Sequence, residues 1–161
     1  MIFVTIGTMY PFDRLIKTVD EAVERGLIRE DVFAQIGCSK YRPKYIRYIQ
    51  MIDREAFLGY VKKSSAIIAH AGIGTIILAR DYNKPLLVMP RMKRYKEHVN
   101  DHQLDTAETF AKLGYLLVAH SSEELIDQVG KLRELTHKKR NTGEKAMIKE
   151  ISRFLQDINM D

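Results

Sequence analysis

The feature that most constrains this chain is an alternation of short apolar runs with amphipathic segments, joined by links of a few residues. IFVTI (2–6), DVFAQIG (31–37), KYIRYIQM (44–51), SAIIAH (65–70), KPLLVMP (84–90) and YLLVA (115–119) read as strands. A run such as SAIIAH, apolar through its centre, suits a strand covered on both faces. PFDRLIKTVDEAVERG reads as a helix, with Phe12, Leu15, Ile16, Val19 and Val23 at helical spacing, Pro11 in the first turn and Gly26 as a stop. Asp53 is placed to cap REAFLGYVKKS. Further helices are expected from the glycine turn after His70 to about Tyr82, and from near Asn100 to Gly114 with Asn100 or Asp101 as cap. Ser121 or Ser122 caps SEELIDQVGKLREL, and after the polar break THKKRNTG a last amphipathic helix is expected over 143–159. Strands alternating with helices over short links define the expected class as α/β. The layout is a Rossmann-like, mostly parallel sheet with helices on both faces, in one domain over 1–161.

The totals narrow the class further. With 45% hydrophobic and 29% charged residues the chain has the balance of a soluble globular domain. The opening MIFVTIGTMYPFD has no basic lead-in and no small-residue cleavage site, so it reads as a strand and not as a signal peptide. No window approaches the roughly 18 apolar residues of a spanning helix. A single cysteine, Cys38, allows no internal disulfide, fits a reducing compartment, and is expected to be a small buried residue. The net charge of +5 gathers around Lys40–Arg47, Arg91–Lys96 and Lys131–Arg140. Such clusters are either solvated faces or attractors of nucleic acid, anionic membrane or a phosphorylated substrate; charge alone does not choose.

In sheets of this type ligands sit beyond the carboxyl ends of the strands, and that is where the unusual residues fall. His70, Gly72, Ile73, Gly74 and Thr75 occupy the turn from SAIIAH into its helix. Glycines there let main-chain amides approach a ligand, and a helix start offers unpaired donors with a partial positive charge, which suits a diphosphate. The same turn also serves plain strand–helix packing. Gly7 and Thr8 end the first strand and Gly37 the second, on the same edge. The stretch PRMKRYKEHVNDHQLD adds Arg91, Glu97, His98, Asn100, Asp101, His102 and Gln103, a density of donors and acceptors that sugar hydroxyls require; the alternative is a solvated loop in which Asn100 or Asp101 caps the next helix. His98 and His102, four apart, have metal-ligand spacing, but no third ligand is evident and no metal is expected. No GxSxG elbow, P-loop or GxGxxG fingerprint is present. Tyr41, Tyr45 and Tyr48 alternate as strand residues rather than as a base-stacking platform.

FVTIGT with FDRLI, then HAGIGT, then KPLLVMPR with EHVNDHQ, in this order and spacing, resemble the donor-binding, carboxyl-terminal domain of the family 28 group of GT-B glycosyltransferases, over nearly the whole chain. The resemblance is greatest to free-standing subunits of two-component enzymes, of the dolichol-linked N-acetylglucosamine and bacterial exopolysaccharide kinds. It implies half of a GT-B enzyme, an inverting, metal-independent transfer, and a UDP-sugar donor carrying N-acetylglucosamine or glucuronic acid. The Gly72–Thr75 turn would hold the diphosphate, His102 and Gln103 would meet the donor sugar or ribose, and Gly7 and Thr8 would face the crevice from the other side. Where relatives often place a ribose-gripping glutamate, this chain has Leu78. The catalytic base is not identified and would come from a membrane-associated, acceptor-binding partner subunit presenting a lipid-linked acceptor. That places the chain in the cytoplasm, peripheral at the inner membrane face, with the 143–159 helix available for docking. The competing readings are a non-catalytic nucleotide-sugar module and, from charge alone, a nucleic-acid-binding protein.

Overall fold

The computed structural model describes residues 1–135 together with Ser152. The elements follow the expected order: β1 (Ile2–Thr5), α1 (Asp13–Glu24), β2 (Val32–Gln35), β3 (Arg47–Ile49), α2 (Arg54–Lys63), β4 (Ala66–His70), α3 (Ile73–Asp81), β5 (Leu86–Met89), a single 3-10 turn at Lys93–Tyr95, α4 (His102–Lys112), β6 (Leu117–Val118) and α5 (Ser122–Leu135). The six strands form one sheet in the order β3-β2-β1-β4-β5-β6, and every pairing is parallel. The order reverses between β1 and β4, which makes the carboxyl ends of those two strands the switch point where such sheets open a crevice. The expected helix over 143–159 lies outside the described residues.

Side chains alternate across the strands into two cores. On one face Ile2, Val4, Ile6, Ile68, Leu87 and Met89 pack with Leu15, Ile16 and Val19 of α1 and Leu125 and Leu132 of α5. On the other, Phe3, Ile67, Ala69, Leu86 and Val88 pack with α2, α3 and α4 through Val61, Ile76, Ala79, Ala107 and Phe110. Both faces are therefore covered, which is why β4 reads as an unbroken apolar run. Local signals place the helix ends where they were sought: Asp53 accepts from Ala56 N at 2.8 Å, and Ser121 accepts from Glu124 N at 3.2 Å.

Three local expectations are corrected. The strand expected over 44–51 shrinks to Arg47–Ile49, with Tyr45 and Tyr48 exposed. The cause is Asp20, fully buried on α1, whose carboxylate accepts from Lys44 N (2.9 Å), Tyr45 N (2.8 Å), Ile46 N (3.1 Å) and the Tyr41 hydroxyl (2.8 Å). Those bonds fold the chain over α1 instead of extending it along the sheet. Cys38 is exposed, not buried: Gly37 in the left-handed region (φ +50) turns the chain outward at the end of β2. Helix α4 starts at His102 with Asp101 at its N-cap position, one of the two places expected, but the Asp101 side chain makes no capping bond because it accepts from Lys93 N in the preceding loop.

Candidate functional site

The turn after β4 presents main-chain amides at the carboxyl edge of the sheet, with Gly74 exposed. Gly72 N donates back to His70 O at 2.9 Å, and Gly72 O then accepts from Thr75 N (3.0 Å) and Ile76 N (3.1 Å). The amides of Ile73 and Gly74 bond to no protein group among the described residues, as expected in the first turn of a helix. A Cβ built on Gly74 would meet nothing within 4 Å, so a side chain has room at this position. The Thr75 hydroxyl beside them is also without a partner among the described residues. Free amides, a helix N-terminus and a free hydroxyl are the groups that complement a negative charge.

His70 fixes the shape of this turn. Its ring lies between two glycine loops: a Cβ on Gly7 would fall 3.0 Å from Cε1, and one on Gly72 would fall 2.3 Å from Nε2. Gly7 also lies at φ +73, where a side chain is strained, so its need for glycine is double. A Cβ on Gly37 would meet the Gly7 carbonyl at 2.7 Å, which brings the ends of β1 and β2 into contact. Burial, then the nearby positive charge of Arg91, pulls the His70 imidazole down to about 3, so the ring is neutral. Its Nδ1 is buried with no partner among the described residues.

The loop after β5 closes the other side. His98 stacks beside Tyr10 at 4.9 Å between centroids and meets the His102 ring edge-on at 4.6 Å. Asn100 Oδ1 bonds Nδ1 of both imidazoles. Burial, then the charge of His98, lowers the His102 pKa. Below this cluster a groove of about 480 Å³ runs between Tyr10, Pro11, Lys93, Lys96 and Val99. A larger cavity of about 610 Å³ opens at the opposite, amino edge of the sheet, where Glu30 and Ser65 are already engaged with each other and with the Met1 amine. Among the described residues the buried side-chain polar atoms without a partner, His70 Nδ1 and Arg91 Nε, both lie at the carboxyl edge.

The structure divides the residues singled out in the sequence. Gly7, His70 and Gly72 come together at the β1 and β4 ends, at the start of the Ile73–Thr75 turn, with Thr8 exposed at the rim; His98, Asn100 and His102 form a second cluster beside Tyr10, near enough for the charge of His98 to act on His70. Four others are engaged in holding loops, Arg91 and Gln103 buried, Glu97 half-buried and Asp101 exposed. Arg91, 3% exposed, donates through Nη2 to Ile6 O and Tyr10 O (2.7 Å for the latter), and Gln103 accepts from Arg91 N at 3.1 Å. Asp101 accepts from Lys93 N at 2.7 Å, and Glu97 pairs with Arg14. Burial lowers the Arg91 pKa to about 10, so it remains a cation at neutral pH. Arg14 and Tyr10 were not singled out; the one available signal was the place of Arg14 inside FDRLI, a stretch already notable as a unit. Among the described residues no three His, Cys, Asp or Glu side chains gather as metal ligands, and no helix is long and apolar enough to cross a membrane.

An all-parallel six-stranded sheet of this order, covered by helices on both faces, has the Rossmann-like fold of a GT-B glycosyltransferase half-domain. Residues 1–158 match the glycosyltransferase family 28 C-terminal domain, and the chain belongs to that family. Over 75 residues it is 43% identical to the UDP-N-acetylglucosamine transferase subunit ALG13 of Cryptococcus neoformans (strain JEC21), covering 45% of this chain and 35% of that protein. The match therefore spans about a third of that relative's length. Among solved structures, an NMR structure of ALG13 superposes with a TM-score of 0.60 at 19% identity, covering 93% of each chain. MurG of Acinetobacter baumannii superposes with a TM-score of 0.61 at 17% identity, over 88% of this chain and 45% of that one. These two likenesses establish the fold.

Proposed function

We propose that this chain is the donor-binding, catalytic subunit of a two-component glycosyltransferase. It would take a UDP-sugar, with N-acetylglucosamine favoured by the curated relative and glucuronic acid as the alternative, and act on a lipid-linked acceptor held by a membrane-associated partner. The observation that carries the reading is the open turn at Gly72–Thr75. Its two unpartnered amides and the positive end of α3 match the charge of a nucleoside diphosphate, and that charge grows as the sugar leaves. In an inverting transfer the acceptor hydroxyl forms a bond to the anomeric carbon while the bond to the diphosphate oxygen breaks. UDP leaves carrying the electron pair, and a base outside this chain takes the hydroxyl proton. The amides would stabilise the leaving diphosphate without a metal, while His98, Asn100 and His102 face the sugar. The chain would act at the cytoplasmic membrane face through its partner.

Calorimetric titration tests the donor half of this reading: UDP and UDP-N-acetylglucosamine should bind, and ATP should not. Equal indifference to all three, with steeply salt-dependent binding to DNA or RNA, would overturn it. Transfer is then assayed with the partner co-expressed, with and without a chelator. Donor binding without transfer across several donors would favour a regulatory module.

A further inference from the structure

We infer that Arg14 is a positioning residue: through Glu97 it sets the shape of the 91–101 loop, and so the placement of His98, Asn100 and His102 against the donor. The inference rests on the proposed donor site. Arg14 lies in the first turn of α1, directly against that loop. Its Nε donates to Glu97 Oε1 at 2.7 Å and its Nη2 to Glu97 Oε2 at 2.8 Å, a two-pronged ion pair with side chains only 19% and 10% exposed. Nη2 also reaches Pro90 O at 3.0 Å and Nη1 reaches His120 O at 3.3 Å. One guanidinium thus ties together the end of β5, the loop that follows it, and the end of β6. Its plane is flanked by the Tyr95 ring at 4.6 Å and the Phe12 ring at 5.3 Å.

The loop needs such a tie. Lys93–Lys96 and Val99–Asp101 are exposed, and the loop has no strand ladder to hold it. Lys96 adopts φ +59, a left-handed conformation that a lysine keeps only where its surroundings over-determine it. The turn's own backbone holds it, with Lys96 N donating to Lys93 O at 2.8 Å and Glu97 N to Met92 O at 3.3 Å, and the Glu97 side chain adds to this: besides pairing with Arg14 it accepts from Met92 N at 3.1 Å, closing the loop on itself. His98 follows directly, so moving Glu97 moves the ring that packs on Tyr10 and His102. Fork-shaped, part-buried ion pairs are the ones with both strength and geometric specificity. The brace is reciprocal, because Arg91 from this loop holds the Ile6–Tyr10 loop in turn. With its donors directed at Glu97, Pro90 and His120, Arg14 acts through its neighbours and not on the ligand.

The test compares R14Q, E97Q and R14K with the wild-type chain by amide hydrogen exchange and by titration. In R14Q and E97Q, exchange over 92–101 should quicken about tenfold while β1 and β4 amides stay protected, since only the loop loses its tie. Affinity for UDP should stay within about twofold and affinity for UDP-N-acetylglucosamine should fall about tenfold, with R14K, which keeps the charge but not the fork, in between. Unchanged loop exchange in both Gln variants overturns the inference, as do equal losses for the two nucleotides, which a general structural lesion would give. A wild-type chain that binds neither nucleotide overturns the donor reading and the link to the sugar, while the exchange result still decides whether Arg14 holds the loop.

Discussion

His70 and Gly72 share a space that only a bare main chain leaves free: a Cβ on Gly72 would lie 2.3 Å from His70 Nε2. The ring has no retreat on its other side, where a Cβ on Gly7 would approach to 3.0 Å. The imidazole is therefore the spacer that sets how far apart the β1 and β4 loops stand, and with them the width of the crevice.

Gly72→Ala should cost roughly 1–3 kcal/mol of stability, the usual range for forcing an extra methyl into a filled site. Gly37→Ala should also destabilise, since its Cβ would meet the Gly7 carbonyl at 2.7 Å and the residue sits at φ +50. Urea unfolding checks both, and wild-type midpoints would show that the ring or the loop yields freely.

Gly74→Val separates space from function. Nothing lies within 4 Å of a Cβ there, so stability should stay within ~1 kcal/mol, the scale of helix propensity differences. Affinity for UDP should fall at least tenfold, because the side chain would stand in front of the free amides. A Val variant with normal UDP affinity would remove the diphosphate from this turn.

Stability should fall in mild acid through His70. The folded ring is held down to about 3 while the unfolded ring titrates near 6.5, so the unfolded chain binds the extra proton first. The contribution is complete above pH 6.5 and is lost as the pH falls toward 3. At ~1.4 kcal/mol per unit its ceiling is about 5 kcal/mol. Denaturation curves across that window should be steeper in pH for the wild type than for His70→Gln; parallel curves would mean the ring is solvated.

Asp20→Ala should be among the most damaging single changes outside the site, about 3–5 kcal/mol, because it strips the partner from three main-chain amides and a phenol at once. The Tyr41 phenol, raised by burial and by its bond to Asp20 to about 12, should titrate closer to its ordinary 10 in Asp20→Asn. Ultraviolet titration reads this directly, and an unmoved phenol would put burial alone in charge.

Gln103→Ala should lower stability by about 1–3 kcal/mol, since Arg91 N would be left buried without an acceptor. If Gln103 meets the sugar as well, affinity for the sugar nucleotide should fall more than affinity for UDP; equal losses would confine it to supporting Arg91.

Most of the scaffold was legible in the sequence because it rests on local physics. Apolar runs two to six residues long, unbroken because both faces are covered, gave the strands; Asp53 and Ser121 gave helix starts; glycines at the ends of β1, β2 and β4 marked the edge where the chain turns close to itself. The failures have one origin. The stretch 44–51 reads as one strand, yet a single carboxylate more than twenty residues earlier takes the amides of Lys44, Tyr45 and Ile46 from the sheet. Cys38 has the character of a core residue, yet the backbone sign of Gly37 turns it out.

The order of elements, the two-sided burial of the sheet and the glycine-bearing edge were thus set by residue pattern alone, since periodicity and turn chemistry act over a few neighbours. Which polar residues of the 91–103 stretch stay free and which are consumed was decided only in three dimensions. Arg14 and Glu97 are 83 positions apart, and Arg91 and Ile6 are 85 apart. Burial makes such pairings worth their desolvation, and a linear chain has no local feature that reports who its distant neighbour will be.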